Sequence, residues 1–218
     1  MNDLSQEKLA FFCSEPENQY FDRKSARIKP LDILKHLVAF SNAEGGQLII
    51  GIEDDGQITG FNYKGAHKID EYRNICITEL KETPLNVRFD IYDVKNVNDQ
   101  DDQIIIISVE VSIDRVIKSY DGKVYLRQND KSKELNYEQI LQLQYDSGQR
   151  SFEDEIVEIA DLSDIDDAVM SEYKSIMNIT DLTNEEVLRA RYFLVDGKLT
   201  NAGILLFGKN PCKFLPQA

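Results

Sequence analysis

Three carboxylates are the side chains of this sequence best suited to chemistry. Glu17 lies on the approach to a short apolar stretch, Asp22 lies near its end, and Asp54 follows a second such stretch. We therefore expect all three at the ends of strands that could be neighbours. Hard divalent cations such as Mg²⁺ take oxygen ligands and usually need only one or two protein carboxylates besides substrate phosphate. The three acids are candidate metal ligands, with the alternative that they are structural surface residues.

A locally basic stretch follows directly after the second of these acids. It consists of Arg23, Lys24, Arg27, Lys29 and Lys35. The whole chain has a formal net charge of −14, which at first sight argues against a nucleic-acid partner, because phosphate binding relies on lysine and arginine. Residues 151–190, however, carry −10 of that charge, and the other 178 residues carry only −4. One face could therefore meet phosphate, and the alternative is an ordinary solvated surface.

The stretch in the middle of the first hundred residues combines a helix, a strand and an acidic turn. A helix is predicted to begin at Pro30 and to end at Asn42. We interpret the Gly45-Gly46 pair that follows as the helix stop rather than as a phosphate cradle. Leu48 to Ile52 is apolar on both faces, as in a central strand, and Asp55-Gly56 then indicates a hairpin turn. The neighbouring acids are therefore expected at a strand end rather than within a strand.

Further helices and strands are predicted on both sides of this stretch. Periodicity and turn signals predict helices over 3–13, 69–80 (closed by Pro84) and 137–148 (capped by Asn136), strands at 20–21, 87–94 and 104–111, and a hairpin of 116–120 with 123–127. The four consecutive isoleucines at 104–107 are expected at the centre of the sheet. The pattern predicts an α/β fold with a mixed β-sheet flanked by helices.

Composition divides the chain into three parts. Residues 1–150 are predicted to form the α/β domain, and residues 151–182 an acidic helical connector with apolar residues among its charges. Residues 183–218 start a further region, which opens on the capping box formed by Thr183 and Glu186. The apolar final stretch leads us to expect that the chain was cut from a longer protein.

The sequence lacks the motifs and segments that are typical of several common classes of protein. The phosphate-loop, dinucleotide-binding, serine-hydrolase and zinc-protease signatures are absent. The chain has three widely spaced cysteines, Cys13, Cys76 and Cys212, and no C-x-x-C motif. We therefore interpret them as buried apolar residues in a reducing compartment. No stretch approaches the roughly 20 apolar residues of a membrane span, and the amino terminus has no secretory pattern. A cytoplasmic protein without a membrane partner is predicted.

Four motifs carry a resemblance to a known family. They are ENQYFDRK at Glu17–Lys24, AFSNAEGG at Ala39–Gly46, LIIGIEDDG at Leu48–Gly56 and VYLR at Val124–Arg127. In this order they resemble the Schlafen AlbA_2 domain of bacterial DNA-binding and regulatory proteins, and Thr200–Ala218 resembles the stretch that follows this domain in long bacterial members. The second and third motifs together are quite specific, whereas VYLR alone is weak. The resemblance implies an AlbA_2-like α/β domain.

The first function that the resemblance implies is nucleic-acid binding. The domain would be part of a transcriptional-regulator-like protein that binds DNA or structured RNA. Its phosphate contacts would be made by Arg23, Lys24, Arg27, Lys29 and Arg127. Such contacts position a backbone without reading its sequence.

The second function is that of a metal-dependent endoribonuclease. Related vertebrate Schlafen proteins cut tRNA and rRNA with three acidic residues and a divalent metal, and the matching positions here are Glu17, Asp22 and Asp54. Under this hypothesis the three acids are catalytic and hold Mg²⁺ or Mn²⁺. Asp22 stands where the pattern usually has glutamate, which has a longer side chain.

The resemblance also bears on partners. The vertebrate nucleases build their groove from two lobes in one chain, so this chain would need a homodimer to supply the second lobe. ATP binding would belong only to a C-terminal region that this chain lacks. A third class of function is an interaction scaffold, in which the acidic residues 151–190 dock that C-terminal region.

Overall fold

The computed structural model describes residues 4–79 and 85–216, which divide between residues 147 and 148 into two compact units. The elements of the first unit are α1 (Gln6–Ser14), β1 (Phe21–Lys24), α2 (Pro30–Ser41), β2 (Gly46–Ile50), α3 (Ile69–Glu79), β3 (Val87–Lys95), β4 (Asp101–Val109), β5 (Tyr125–Gln128), β6 (Lys131–Glu134) and α4 (Tyr137–Asp146). The predicted end of the third helix at Leu80, with Pro84, lies outside the described residues.

A four-stranded mixed sheet forms the centre of the first unit. Its strand order is β1-β2-β4-β3, with β1 parallel to β2 and the other two pairings antiparallel. The parallel pair requires a crossover connection, which α2 provides. Helices accompany this sheet, so the predicted mixed α/β fold is confirmed.

The isoleucines of β4 lie between two hydrophobic cores. Ile105 and Ile107 contribute to one core cluster, while Ile104 and Ile106 contribute to another. This separation follows from the alternation of side chains along a strand. Because a hydrophobic core covers each face of β4, which lies between β2 and β3, all four side chains are buried, as predicted for the centre of the sheet.

The end of α2 is fixed by its side-chain and backbone contacts. Asn42, the residue after the helix, donates through Nδ2 to the carbonyls of Ile117 (2.8 Å) and Tyr125 (2.9 Å), and its Oδ1 accepts from the Ile117 N–H (2.7 Å). Gly45 then turns the chain with a φ of +77° into β2. The predicted helix end at Asn42 is confirmed, and this asparagine also ties α2 to the segment that leads into β5.

The second hairpin forms one turn later than predicted. Residues 119–123 do make a turn, with the Ser119 N–H donating to the Lys123 carbonyl (2.8 Å), but residues 116–120 form no strand. The pairing is instead between β5 and β6 across Asn129, whose φ is +56°. Because β6 has the wholly polar sequence KSKE, it carried no apolar signal.

The second unit has its own small core. Its elements are a 3₁₀ turn (Leu162–Asp164), α5 (Asp167–Ile176), α6 (Asn184–Ala190), β7 (Leu194–Val195), β8 (Lys198–Leu199), α7 (Asn201–Phe207) and α8 (Pro211–Phe214). Ala160 and Met170, from the predicted connector, share one core cluster with Leu188 and Ile204 from the predicted further region. The predicted capping box of Thr183 and Glu186 is formed at the start of α6. Among the described residues, no helix combines the length and apolar character needed to cross a membrane.

Candidate functional site

Asp22 is the centre of a buried network of charged groups. Its side chain is 1% exposed on β1, and its Oδ2 lies 2.6 Å from Arg127 Nη1 and 3.1 Å from His36 Nδ1. The Lys24 ammonium contacts the other oxygen, Oδ1. The Ser132 hydroxyl lies 3.2 Å from the same His36 nitrogen, so β1, α2 and the β5–β6 hairpin all contribute to the network.

The electrostatics of this network lower the pKa of one carboxylate and raise the pKa of another. Burial raises the pKa of Asp22, but His36 and Lys24 outweigh this effect and hold that pKa well below its usual range. Glu17 shows the opposite result, since burial and the neighbouring Asp22 raise its pKa above 4.5, even though Lys24 lies 3.4 Å away. Burial lowers the pKa of His36 below 6.5, despite its contact with Asp22.

Arg127 was predicted to contact phosphate, and its position corrects that prediction. The side chain is 0% exposed, and its guanidinium donates to the carbonyls of Asn18 (2.9 Å from Nη2) and Phe21 (3.2 Å) besides the Asp22 carboxylate. Its Cζ lies 4.9 Å from the ring centroid of Phe40. Enclosed in this way, Arg127 cannot reach the backbone of a nucleic acid.

Arg23 is also removed from the surface. Its guanidinium donates to the carbonyls of Phe12 (2.6 Å), Cys13 (3.0 Å) and Glu15 (2.8 Å) at the end of α1. The last carbonyls of a helix have no partner within the helix, so a buried arginine can satisfy them. Arg23 therefore anchors α1 and is not a phosphate contact.

Asp54 lies in the predicted acidic turn, away from the buried network. The turn is closed by the Gly56 N–H, which donates to the Glu53 carbonyl (2.9 Å), and the isolated bridge of Ile52 with Ile58 confirms the hairpin. Asp54 is exposed there. Its neighbour Glu53 is directed inward instead.

The three predicted metal ligands do not fit a metal ion in this arrangement. Among residues 4–79 and 85–216, no three His, Cys, Asp or Glu side chains are grouped so that they could hold one. Asp22 Oδ2 already contacts Arg127 and His36, and Oδ1 contacts Lys24, so a metal ion would have to compete with these groups for the carboxylate. The structure thus brings Glu17 and Asp22 together around Lys24 and leaves Asp54 apart.

A basic surface forms where two segments of the first unit meet. The His67 N–H donates to the Ala26 carbonyl (2.9 Å), and the Tyr72 hydroxyl donates to the carbonyls of Ala26 (2.8 Å) and Ile28 (2.6 Å). The bond from His67 holds loop 61–68, and those from Tyr72 hold the start of α3, against the connection between β1 and α2. The exposed cations of the two segments, here called the basic surface, are Arg27, Lys29, Lys64 and Lys68.

Sequence reasoning identified only half of the basic surface. Arg27 and Lys29 were predicted, whereas Lys64 and Lys68 were missed. The available signal was the sequence FNYKGAHK at 61–68, which contains two lysines and no acid. Lys24 is only 22% exposed and engages two carboxylates, so it lies at best at the margin of a phosphate-binding surface.

Comparison with known proteins assigns the family. The family model for the Schlafen AlbA_2 domain matches residues 17–136, which is more than half of the chain. Among solved structures, the DIP2311 protein from Corynebacterium diphtheriae is 20% identical, with a TM-score of 0.46 over 93% of this chain and 45% of that chain. The chain therefore spans less than half the length of that protein. The family match covers all four motifs, the buried Asp22 network and the basic surface, and it shows that the chain belongs to the Schlafen AlbA_2 family.

Proposed function

We propose that the first unit is a nucleic-acid-binding domain and that it binds phosphate through the basic surface. The observation that carries the proposal is the meeting of two acid-poor segments, which places four exposed cations on one part of the molecule. In the part of the chain that the structure describes, Lys29, Lys64 and Lys68 form no ion pair. Their charges remain available to phosphate, and ammonium groups that neutralise phosphates release condensed counterions, which favours binding.

The proposal places the domain in a transcriptional-regulator-like protein. Contacts from lysine to phosphate fix the position of a protein on its ligand but carry no sequence information. The domain would therefore supply affinity, and any choice of sequence would come from other contacts. DNA and structured RNA both present the phosphates that such a surface needs, so the ligand has to be found by experiment.

The test measures fluorescence anisotropy of labelled tRNA, single-stranded RNA and duplex DNA between about 50 and about 200 mM salt. We expect binding that weakens steeply as salt rises. A triple variant, Lys29→Ala with Lys64→Ala and Lys68→Ala, should reduce the slope of log affinity against log salt by about 2 to 3, since each phosphate contributes about 0.7 to 0.9.

A matched control removes the same charge elsewhere. Lys123, Lys131 and Lys133 are exposed in and beside the β5–β6 hairpin, and replacing all three by alanine changes net charge equally. This control should retain most of the affinity and the slope. Equal losses in the two triple variants would mean that only net charge matters, and an absence of binding at low salt would refute the proposal.

The same reactions test the endoribonuclease alternative. Each is run with Mn²⁺ or with EDTA on denaturing gels, beside Asp54→Ala. Because the acids do not form a metal site in this structure, we expect intact nucleic acid in every lane. Metal-dependent cutting that disappears in Asp54→Ala would instead establish a nuclease whose acids come together only when the ligand is bound.

We extend the proposal to a homodimer. Two copies would present two basic surfaces to one nucleic acid, and linked binding sites can exceed the affinity of a single site by about 10²- to 10⁴-fold. Sedimentation of the protein alone and with nucleic acid tests this part. A monomer under both conditions would remove the dimer from the proposal and leave the binding surface in place.

A further inference from the structure

Tyr63 and Arg27 form an exposed pair of flat groups within the basic surface. The guanidinium carbon of Arg27 lies 5.1 Å from the centroid of the Tyr63 ring. Tyr63 is 40% exposed, and the Arg27 side chain is 46% exposed. Arg27 thus covers one face of an aromatic ring that is otherwise held at the surface of the molecule.

Arg27 is held in place by contacts on its other groups. Its Nε donates to the Ser25 hydroxyl (3.0 Å), and its Nη2 lies 3.0 Å from Glu53 Oε2. The other oxygen of Glu53 accepts from the Thr59 hydroxyl (2.7 Å). A side chain fixed at two points loses little further freedom when a ligand binds, so the guanidinium plane is preorganised.

A tight turn fixes Tyr63. The Ala66 N–H donates to the Tyr63 carbonyl (3.0 Å), and Gly65 has a φ of +88° at the third position of the turn. A positive φ at this position suits glycine and is typical of a type II turn. Lys64 is exposed at the second position of the same turn, so an aromatic residue and a cation belong to one short surface turn.

We propose that an unpaired base stacks on the face of the Tyr63 ring opposite Arg27, so that the ligand of the basic surface is single-stranded or looped nucleic acid. Bases that are not held in a duplex stack on aromatic rings and on guanidinium planes. Lys29, Lys64 and Lys68 then hold the phosphates on either side of the stacked base. This inference rests on the proposed function and adds the class of ligand to it.

The experiment compares two probes of equal length, a labelled single-stranded oligonucleotide and a blunt duplex. Tyr63→Ala should weaken binding of the single strand by about 5- to 100-fold, as expected for the loss of one stacked base, and should leave duplex binding unchanged. Tyr63→Phe keeps the ring and should bind both probes as the wild type does. Tyr120→Ala removes another exposed tyrosine, 48% exposed, and should change neither affinity.

A spectroscopic readout reports stacking directly. A single strand that contains 2-aminopurine should lose fluorescence on binding to the wild type and to Tyr63→Phe, and should keep it when bound to Tyr63→Ala. Circular dichroism and thermal unfolding of each variant establish that it is folded. If Tyr63→Phe fails as severely as Tyr63→Ala, or if quenching persists in Tyr63→Ala, the stacking proposal is overturned.

The outcomes separate this inference from the proposed function. If the lysine triple variant loses affinity for both probes while Tyr63→Ala retains it, the basic surface binds nucleic acid without a stacked base. If Tyr63→Ala weakens the single strand and the duplex equally, stacking is likewise overturned. If the wild type binds neither probe at low salt, the proposed function itself has failed.

Discussion

Arg127 Nη1 lies 2.6 Å from Asp22 Oδ2 in the interior of the first unit, although 105 residues separate the two in sequence. Both side chains are almost wholly excluded from solvent, at 0% and 1% exposure. The contact joins the edge strand β1 to the β5–β6 hairpin. It makes two motifs that look independent in the sequence, ENQYFDRK and VYLR, parts of one structural unit.

The first prediction concerns the energy of this contact. Arg127→Met leaves the Asp22 carboxylate buried without its guanidinium partner, so we expect the free energy of unfolding to fall by about 3 to 5 kcal/mol. Arg115→Met removes an exposed arginine that pairs with Asp114, and it should leave the urea midpoint nearly unchanged. Urea unfolding measures both. If both variants lost similar amounts of stability, the buried pair would contribute no more to stability than the exposed pair does.

The second prediction concerns pH and His36. Burial lowers the pKa of His36 in the folded state below its ordinary value of 6.5, so below that pH the unfolded chain takes up a proton that the folded chain does not. Stability must then fall as pH falls. We expect His36→Gln to lose less stability than the wild type between about pH 7.5 and about pH 5, where histidine titrates.

Comparison with the variant is needed because nearby acids titrate too. The pKa of Glu17 is raised, so its contribution to stability is present at low pH and is lost as pH rises through that pKa. The pKa of Asp22 is lowered in the folded state, so the stability that Asp22 contributes is lost only as pH falls below about 3.8, its ordinary pKa. If urea midpoints of wild type and His36→Gln change in parallel with pH, the prediction for His36 is wrong.

The third prediction concerns the cysteines. Burial raises the pKa of Cys76 to about 12, and the thiolate is the form that reacts with disulfide reagents. Cys212 is exposed. We expect Cys212 to react first in the native protein, and Cys76 only slowly until urea unfolds the chain. A thiol titration with and without urea, repeated on Cys76→Ala, measures this. Equal rates for all three thiols in the native protein would contradict it.

The fourth prediction tests the interpretation of Gly45 as a helix stop. Gly45 has a φ of +77°, and a Cβ there would lie 2.8 Å from the Val109 carbonyl oxygen. Gly45→Ala should therefore destabilise the protein by more than the roughly 1 to 2 kcal/mol that a left-handed conformation costs. Gly122→Ala is the matched control, since its φ is +80° and no atom lies within 4 Å of the added Cβ.

Nucleic-acid affinity separates the two interpretations of this glycine. If Gly45 only ends α2, the variant should retain its affinity for nucleic acid once the folded fraction is taken into account. A loss of affinity in a folded Gly45→Ala protein would favour the phosphate cradle instead. Anisotropy at a temperature well below the unfolding midpoint supplies the measurement.

Much of the fold could be predicted from the sequence because many of its helices and strands are specified by residues close together in the chain. Pro30 and the isoleucines of β4 each act on their own neighbourhood, through a fixed φ or continuous apolar character. β6 was missed because its stability comes from pairing with β5 rather than from apolar side chains. Its four residues, KSKE, resemble a loop until the partner strand is known.

The site was harder to predict because tertiary contacts decide which of its charged side chains are buried and which are exposed. Arg23 and Arg27 are four residues apart in one basic stretch, yet the first satisfies helix carbonyls in the interior and the second reaches the surface. Nothing local distinguishes a buried guanidinium from an exposed one. Loop 61–68 could not be added to the surface either, because the bond from His67 to Ala26 joins segments that are distant in sequence.

The separation of Asp22 from Arg127 also has a consequence for how the protein is made. A ribosome adds about 5 to 20 residues per second, so Arg127 is synthesised about 5 to 20 s after Asp22. During that interval the nascent chain contains Asp22, Lys24 and His36 without the guanidinium that pairs with Asp22 in the folded protein, so burial of the carboxylate would be only partly compensated. We expect β1 to stay outside the nascent sheet until the β5–β6 hairpin leaves the exit tunnel. The order of translation would then make the parallel edge of the sheet the last to close.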